Sequence, residues 1–482
     1  MPSIKKNFLF SAILTVSSYI FPLLTFPYVT RVLGVEGMGI YNFVDNTIQY
    51  FCIIALMGVS SVGIREISKS NGDLDKKQTV FSSLLVLNFA TTLLAIFALL
   101  VCVFLIPEFG LHKKMFYIGA GRLCANFLSI EWLYKGLEDF KYITYRTLIV
   151  RTLNVIAVFI FVRAEGDYEI YFWLNTLTAI VNAAINVTHA RKFVRFSISS
   201  VNIKGYIKPY FILGGHQILT AMYASLNVTF LGVFCGDTEV GYYSTAVRLY
   251  GVIISLYAAF TGVMLPRMSS IVESGNIEEF KRLTRKSLDA LMAFSFPLIL
   301  ISVVYAPIII KIIAGSGYEG AILPMRMVMP LMLVIGYEQI LIIQTLNPLR
   351  KDKAILINAI IGASVALLLN LTIVKGLASV GSAIVWCCSE LAVLTSAQYF
   401  VHKYIGTGFP FRAIVSRLAL SILLACFAVF INMLPTNEYV LAIFGSIAIF
   451  IPYMLSETFL FKNEVVYSMY IKFKELCVKR FQ

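Results

Sequence analysis

Residues 31–41 read RVLGVEGMGIY, and residues 233–243 read VFCGDTEVGYY. Laid over one another at an offset of 202, Gly34 meets Gly236, Gly39 meets Gly241 and Tyr41 meets Tyr243. Further along, Arg65 meets Arg267 and Ser68 meets Ser270, while Arg122 and Arg326 match at an offset of 204, as a small insertion allows. Each glycine-bearing stretch joins one apolar run to the next. Each second run then ends in a basic segment, REISKSNGDLDKK (65–77) in one copy and PRMSSIVESGNIEEFKR (266–282) in the other. The offset spans six apolar runs. An even number preserves direction, so the halves are parallel repeats related by an axis along the membrane normal.

The composition says what these runs are. The chain has 482 residues, 59% hydrophobic and 14% charged, with a mean hydropathy of +0.82. Soluble domains carry about 25% charged residues, so a soluble enzyme, a disordered chain and a secreted disulfide scaffold are excluded. A helix crosses hydrocarbon with about 20 residues. Fourteen runs qualify: 8–30, 40–63, 79–106, 115–134, 143–162, 168–188, 209–234, 240–265, 288–313, 320–344, 354–374, 377–401, 413–433 and 439–461. The weakest are 168–188, which is polar, and 320–344, which holds Arg326 and Glu338; twelve or thirteen spans are the alternatives. The sequence thus predicts an all-α polytopic membrane protein. One six-helix lobe covers 1–205 and a second covers 206–405, with a central cleft. Two additional helices follow over 406–461, then a tail over 462–482. The first run reads as a retained helix, because it holds Pro22 and Pro27 and no small-x-small cleavage site follows it.

The net charge of +14 fits loops of a membrane protein better than a nucleic-acid surface, because cytoplasmic loops are rich in Lys and Arg. With both termini in the cytoplasm, 31 of the 40 basic residues fall on the cytoplasmic side, six on the opposite side, and Arg122, Arg248 and Arg326 within spans. This asymmetry predicts a multi-pass protein of a bacterial cytoplasmic membrane with both termini inside. The eight cysteines form no CxxC pair and mostly lie in apolar runs; they read as small buried residues.

Side chains three, four and seven apart share a helix face. The second run carries Asn42, Asp45, Asn46 and Gln49 at that spacing. The eighth carries Ser244, Arg248 and Ser255, with Gly251 on the same face, and the offset maps Asn42 onto Ser244 and Asn46 onto Arg248. The seventh adds Gln217, Thr220 and Asn227, whose first-half counterparts are Thr15, Ser18 and Thr25. Four helices with polar faces point to a shared wet cavity; the competing structural reading is hydrogen-bonded glue between helices. An Arg at the bilayer centre costs about 2.5–3.5 kcal/mol on insertion scales and so faces a cavity or a partner. Arg248 stands on the order of 10 Å into its helix, with Asp45 the expected neutralising partner. Arg122 and Arg326 are further cavity candidates, against snorkelling or structural pairing. Arg31, Arg65 and Arg267 sit at span boundaries, as anion contacts at the rim or as headgroup anchors. Glu131, Glu338 and Glu390 are the candidates for proton or sodium coupling, against plain ion pairs. His216 reads as a hydrogen-bonded core residue.

No HExxH, GxxxxGK[ST] or GxSxG motif is present, so neither a protein-ligated zinc, nor a P-loop, nor a serine hydrolase is expected, and no cofactor. The tail places Val465, Val466, Met469, Phe473 and Leu476 at helical spacing beside Lys472, Lys474, Lys479 and Arg480, as in a basic amphipathic helix on the inner leaflet.

The stretch FPYVTRVLGVEGMGIYNF (26–43) resembles the bacterial polysaccharide flippases, the O-antigen and capsule-repeat exporters of the multidrug/oligosaccharidyl-lipid/polysaccharide superfamily. The resemblance is specific over residues 22–68 and general in span layout beyond. It implies a V-shaped cavity between the lobes, lined by helices one, two, seven and eight. It also implies a cargo, an undecaprenyl-diphosphate-linked oligosaccharide moved from the inner to the outer leaflet, and polymerase or export machinery as partners. An arginine in a wet cleft suits diphosphate, and the Asn, Gln, Ser and Thr stripes suit sugars. A related lipid II flippase and an organic-cation antiporter of the same fold are the alternatives. The antiporter needs carboxylates to dominate the cavity, whereas the outward half holds three span arginines against Asp45. A membrane enzyme lacks the long outer loop it would need.

Overall fold

The computed structural model describes residues 4–70, 73–431 and 435–471. Among them every regular element is helical and no strand occurs. Among the described residues nine helices are long and apolar enough to cross a membrane, and a tenth counts if the bent pair Ile207–Met222 and Leu226–Cys235 is one span. The fourteen apolar runs of the sequence all fall on helical segments. Two long helices each carry two of those runs across a backbone break. Ile4–Leu56 breaks at Gly34 (φ 66°, ψ 179°), and Asp352–Ile405 breaks at Ala378 (φ 48°, ψ −129°).

Gly34 lies in a region open essentially only to glycine. Gly236, 202 residues later, adopts nearly the same conformation (φ 86°, ψ 177°) at the end of the helix Ile207–Cys235. The next matched glycines make matched contacts. A Cβ on Gly39 would collide with the carbonyl of Asp237, and one on Gly241 would collide with the carbonyl of Val35. Since 237 is 35 plus the offset, the two contacts are related by a local two-fold.

Several expected spans are interrupted, each for a visible reason. The 40–63 run stops at Leu56, turns through Met57 (φ 42°) and Gly58, and resumes as Val59–Lys69. The 115–134 run turns at Ile130 (φ 40°) between Lys113–Ser129 and Glu131–Gly136. The 320–344 run is Ile322–Val328 and Leu331–Gln339 on either side of a break at Pro330, followed by a π-helical stretch, Ile340–Leu346. Proline lacks the N–H that a continuous helix requires.

The chain forms two compact units. The first takes the described residues up to Ser244, with Ala314–Gly317 and Leu369–Ser382; the second takes Thr245–Ile313, Tyr318–Leu368 and the described residues from Ala383 on. The helix Leu74–Leu105 shows how the first unit meets lipid. Leu84, Leu87, Ala95 and Leu99 are buried, while Phe89, Leu93, Phe97 and Phe104 remain exposed. A helix apolar on both its inner and outer faces suits hydrocarbon, not water. The buried face also carries Asn88, Thr91 and Thr92, and the Thr91 hydroxyl reaches the Ala55 carbonyl at 2.6 Å.

In the second unit the two helices predicted as additional, Phe411–Ile431 and Glu438–Phe459, share the core. Leu424, Ala428, Ile449 and Tyr453 pack with Leu291, Met292 and Phe296. Arg417, counted from the sequence with the cytoplasmic loop cations, is instead buried here. Its guanidinium holds Glu457 at 2.6 and 3.1 Å and Asp289 at 3.5 Å, beneath the Phe461 ring. Of the predicted amphipathic tail, residues 464–471 are helical, and Glu464 pairs with Lys286 at 2.5 Å; that hydrogen bond holds its carboxyl below the ordinary glutamate value. Phe473, Leu476 and the four basic residues from Lys472 to Arg480 lie outside the described residues.

Candidate functional site

The interior of the first unit carries a connected set of polar groups on membrane helices. The Asp45 carboxylate pairs with Arg122 of the helix Lys113–Ser129, and Arg122 also reaches Gln49 Oε1 at 3.5 Å. The expected partner of Asp45 was Arg248; the structure gives Asp45 to Arg122 instead. One helix supplies Asp45 and Gln49 four residues apart, so a single guanidinium spans both. Asn46 donates to the Asn42 carbonyl at 2.9 Å, and Asn42 is buried.

In the same unit, Arg146 donates to Asn182 Oδ1 and to Glu131, each at 2.8 Å, and Glu131 also meets Lys135 at 3.5 Å. Between the two ion pairs lie Arg151, which donates to Ser17 Oγ at 3.1 Å, and Asn175, which donates to the Tyr171 carbonyl at 3.0 Å. The sequence reading did not find this cluster, because Arg146 and Arg151 were counted as cytoplasmic charges. The signal was present: both stand inside the apolar run 143–162, and Arg151 is about three turns into the helix Phe140–Phe161.

The seventh-run stripe is partly tied up. Asn227 is buried, donates to the Tyr243 hydroxyl at 3.4 Å and accepts from Asn370 at 2.7 Å. Gln217 is half-buried, as is Thr220. Ser244 is buried with no hydrogen-bond partner on its hydroxyl. On the first helix the Thr15, Ser18 and Thr25 hydroxyls all bond to carbonyls of their own helix. The side chains of His216 and Ser255 lie outside the described residues.

Arg248 is half-buried in the second unit. Arg326 is exposed and donates to the Val303 carbonyl at 3.1 Å, which suits snorkelling. The boundary arginines Arg31, Arg65 and Arg267 are likewise exposed. Arg31 donates to the Pro27 carbonyl at 2.7 Å and Arg65 pairs with Glu66 at 2.8 Å. Burial raises the Glu66 carboxyl, but hydrogen bonds from Arg65 and Lys69 outweigh it and hold the group below its ordinary value.

The second unit buries two carboxyls together. Glu338 and Glu390 are both buried, and the Trp386 indole donates to Glu390 at 2.8 Å. Glu338 Oε2 has no hydrogen-bond partner. Among the described residues no group of three His, Cys, Asp or Glu is placed to hold a metal ion.

The profile of the family described as "Polysaccharide biosynthesis protein" matches residues 4–272. A putative O-antigen transporter of Escherichia coli (strain K12) is 26% identical over 408 residues, covering 83% of this chain and 97% of that one. Among solved structures, the lipid II flippase MurJ in an inward closed conformation superposes with a TM-score of 0.76 at 16% identity, covering 95% of this chain and 100% of that one. An inward-facing multidrug resistance MATE family transporter of the MOP superfamily gives 0.64 at 14% identity, covering 82% and 98%. These structural likenesses concern the fold.

Proposed function

The chain belongs to the polysaccharide biosynthesis protein family, and on that premise we propose that it is a flippase and not an enzyme. Its cargo is an undecaprenyl-diphosphate-linked oligosaccharide repeat unit, moved by alternating access from the inner to the outer leaflet of a bacterial cytoplasmic membrane. The observation that carries this reading is the placement of arginines on membrane helices of a multi-pass helical chain: Arg122, Arg146 and Arg151 in one unit, Arg248 in the other. A diphosphate crossing hydrocarbon needs such donors, because charge-assisted hydrogen bonds replace its lost water. In this proposal Arg248 is the main anion contact. Asn42, Asn46, Gln49, Gln217, Thr220, Asn227 and Ser244 serve the sugars, Arg31, Arg65 and Arg267 attract headgroups at the rims, and both termini are cytoplasmic. Polymerase or export machinery takes the flipped unit.

An organic-cation antiporter is less well supported, since the first unit's membrane carboxylates, Asp45 and Glu131, are each held by an arginine. The buried Glu338 and Glu390 carboxyls are the proposed site of proton or sodium coupling.

The test uses purified protein in vesicles and reads leaflet position of the lipid-linked oligosaccharide, with Arg248→Ala and a fluorescent organic cation alongside. Glycolipid movement that Arg248→Ala abolishes and Arg248→Lys partly keeps is the expected result. Cation movement without glycolipid transfer refutes the substrate; full transfer by Arg248→Ala refutes the role of that residue.

A further inference from the structure

Between the two ion pairs of the first unit lies a cavity of about 300 Å³ lined by Asp45, Arg122, Arg146, Arg151, Asn175 and Asn182, among others. That volume is at the lower end of small-ligand sites. Its charges do not balance. Asp45 is matched by Arg122, and Glu131 by Arg146 and Lys135. Arg151 is left over: its hydrogen bond is to the Ser17 hydroxyl, and among the described residues no carboxylate pairs with it.

Two donor atoms on the same helix have no partner and present no surface to the cavity. Arg146 is 6% exposed, and its Nε has no hydrogen-bond partner. Thr147, also on the cavity wall and 6% exposed, has no partner for its hydroxyl. Arg146, Thr147 and Arg151 are on one helix, and Thr147 and Arg151 are four residues apart, hence on one face. An unmatched cation inside a membrane span is costly unless something accepts from it. Across the cavity the helix Tyr168–Ala190 offers the neutral groups Asn175, Thr178 and Asn182, so no further negative charge comes from that wall.

We propose that this cavity is an oxyanion site for a phosphate or diphosphate group, with the Arg151 guanidinium as its main contact. A guanidinium fork suits two oxygens of one phosphate, which a lysine ammonium does not. The site differs from the one centred on Arg248, which belongs to the other unit. The oxyanion comes either from the diphosphate of the lipid-linked cargo or from free diphosphate in the aqueous phase; only the first source rests on the proposed flippase reading.

The experiment titrates the full chain in nanodiscs of zwitterionic lipid, by calorimetry, with inorganic diphosphate and separately with a short-chain prenyl diphosphate. Wild type is expected to bind at least one of them. Arg151→Gln should weaken that binding about ten-fold or more, as befits loss of a charged hydrogen bond, and Arg151→Lys should keep part of it. Without ligand, Arg151→Gln should melt no lower than wild type, because it removes an uncompensated cation. Tighter binding of the prenyl compound assigns the site to cargo; equal binding assigns it to free diphosphate. Diphosphate binding that Arg151→Gln leaves untouched overturns the proposal, as does a lower melting temperature for the ligand-free variant, which would mean that the charge serves structure. Because binding is read apart from transport, a protein that binds diphosphate through Arg151 yet moves no glycolipid refutes the flippase reading alone.

Discussion

Gly39→Ala tests whether the matched glycines hold two helical hairpins together. The added methyl would collide with the Asp237 carbonyl, and even the Asp237 Cα would stand only 3.2 Å away. Carbon atoms at rest are about 3.5–4.0 Å apart, so the 237 backbone must retreat rather than a flexible side-chain tip. Overpacking of this kind costs about 1–3 kcal/mol, which is about 5- to 150-fold in the equilibrium between the seated and displaced arrangements. The displacement also pulls on the His112–Asp237 hydrogen bond of 3.1 Å. Gly241→Ala meets the Val35 carbonyl and, at 2.8 Å, its Cγ2, so it should behave alike. The control is Gly121→Ala, where a Cβ meets nothing within 4 Å and where helix propensity favours alanine by about 1 kcal/mol. The assay is the thermal midpoint of the detergent-purified chain together with glycolipid transfer in vesicles. Both seam variants should melt lower and transfer less, while Gly121→Ala stays at or above wild type. If Gly39→Ala melts and transports like Gly121→Ala, the close approach is not part of the working protein and the reasoning fails.

Three further outcomes follow from the same structure. Arg417→Leu strands Glu457, whose side chain is 0% exposed, so it should cost about 3–5 kcal/mol, whereas Arg417→Met with Glu457→Leu should recover much of that loss; melts in which the single and double variants coincide refute the pairing. Ala378→Gly should relieve a strained backbone (φ 48°) and be neutral or stabilising by up to about 1 kcal/mol, whereas Gly34→Ala should destabilise by about 1–3 kcal/mol; a lower melting temperature for Ala378→Gly contradicts this. Glu66→Gln removes a carboxylate held below its ordinary value. Its loss, under about 1 kcal/mol for so exposed a cluster, should be present at neutral pH and vanish as acid protonates the wild-type group; a loss that grows on acidification refutes the assignment.

The sequence alone determined that this chain is helical and membrane-spanning, because hydrocarbon forces long apolar runs to satisfy their own backbone hydrogen bonds. The 202-residue offset was equally legible, and Gly34 with Gly236 shows why: one backbone conformation admits only glycine, so the residue type survives where little else matches. The helical period correctly grouped Asp45 with Gln49 on one face, since spacing along a helix is a local property. Tertiary structure alone decided what that face meets. Asp45 could be neutralised by any arginine the fold delivers, and the fold delivers Arg122 from another helix. In the same way Arg146, Arg151 and Arg417 look like loop cations to a rule that counts charges near span ends. Their partners Glu131, Ser17 and Glu457 arrive from 15, 134 and 40 residues away. Ion pairing in a membrane interior is set by which helices pack together, and no pattern within one helix carries that information.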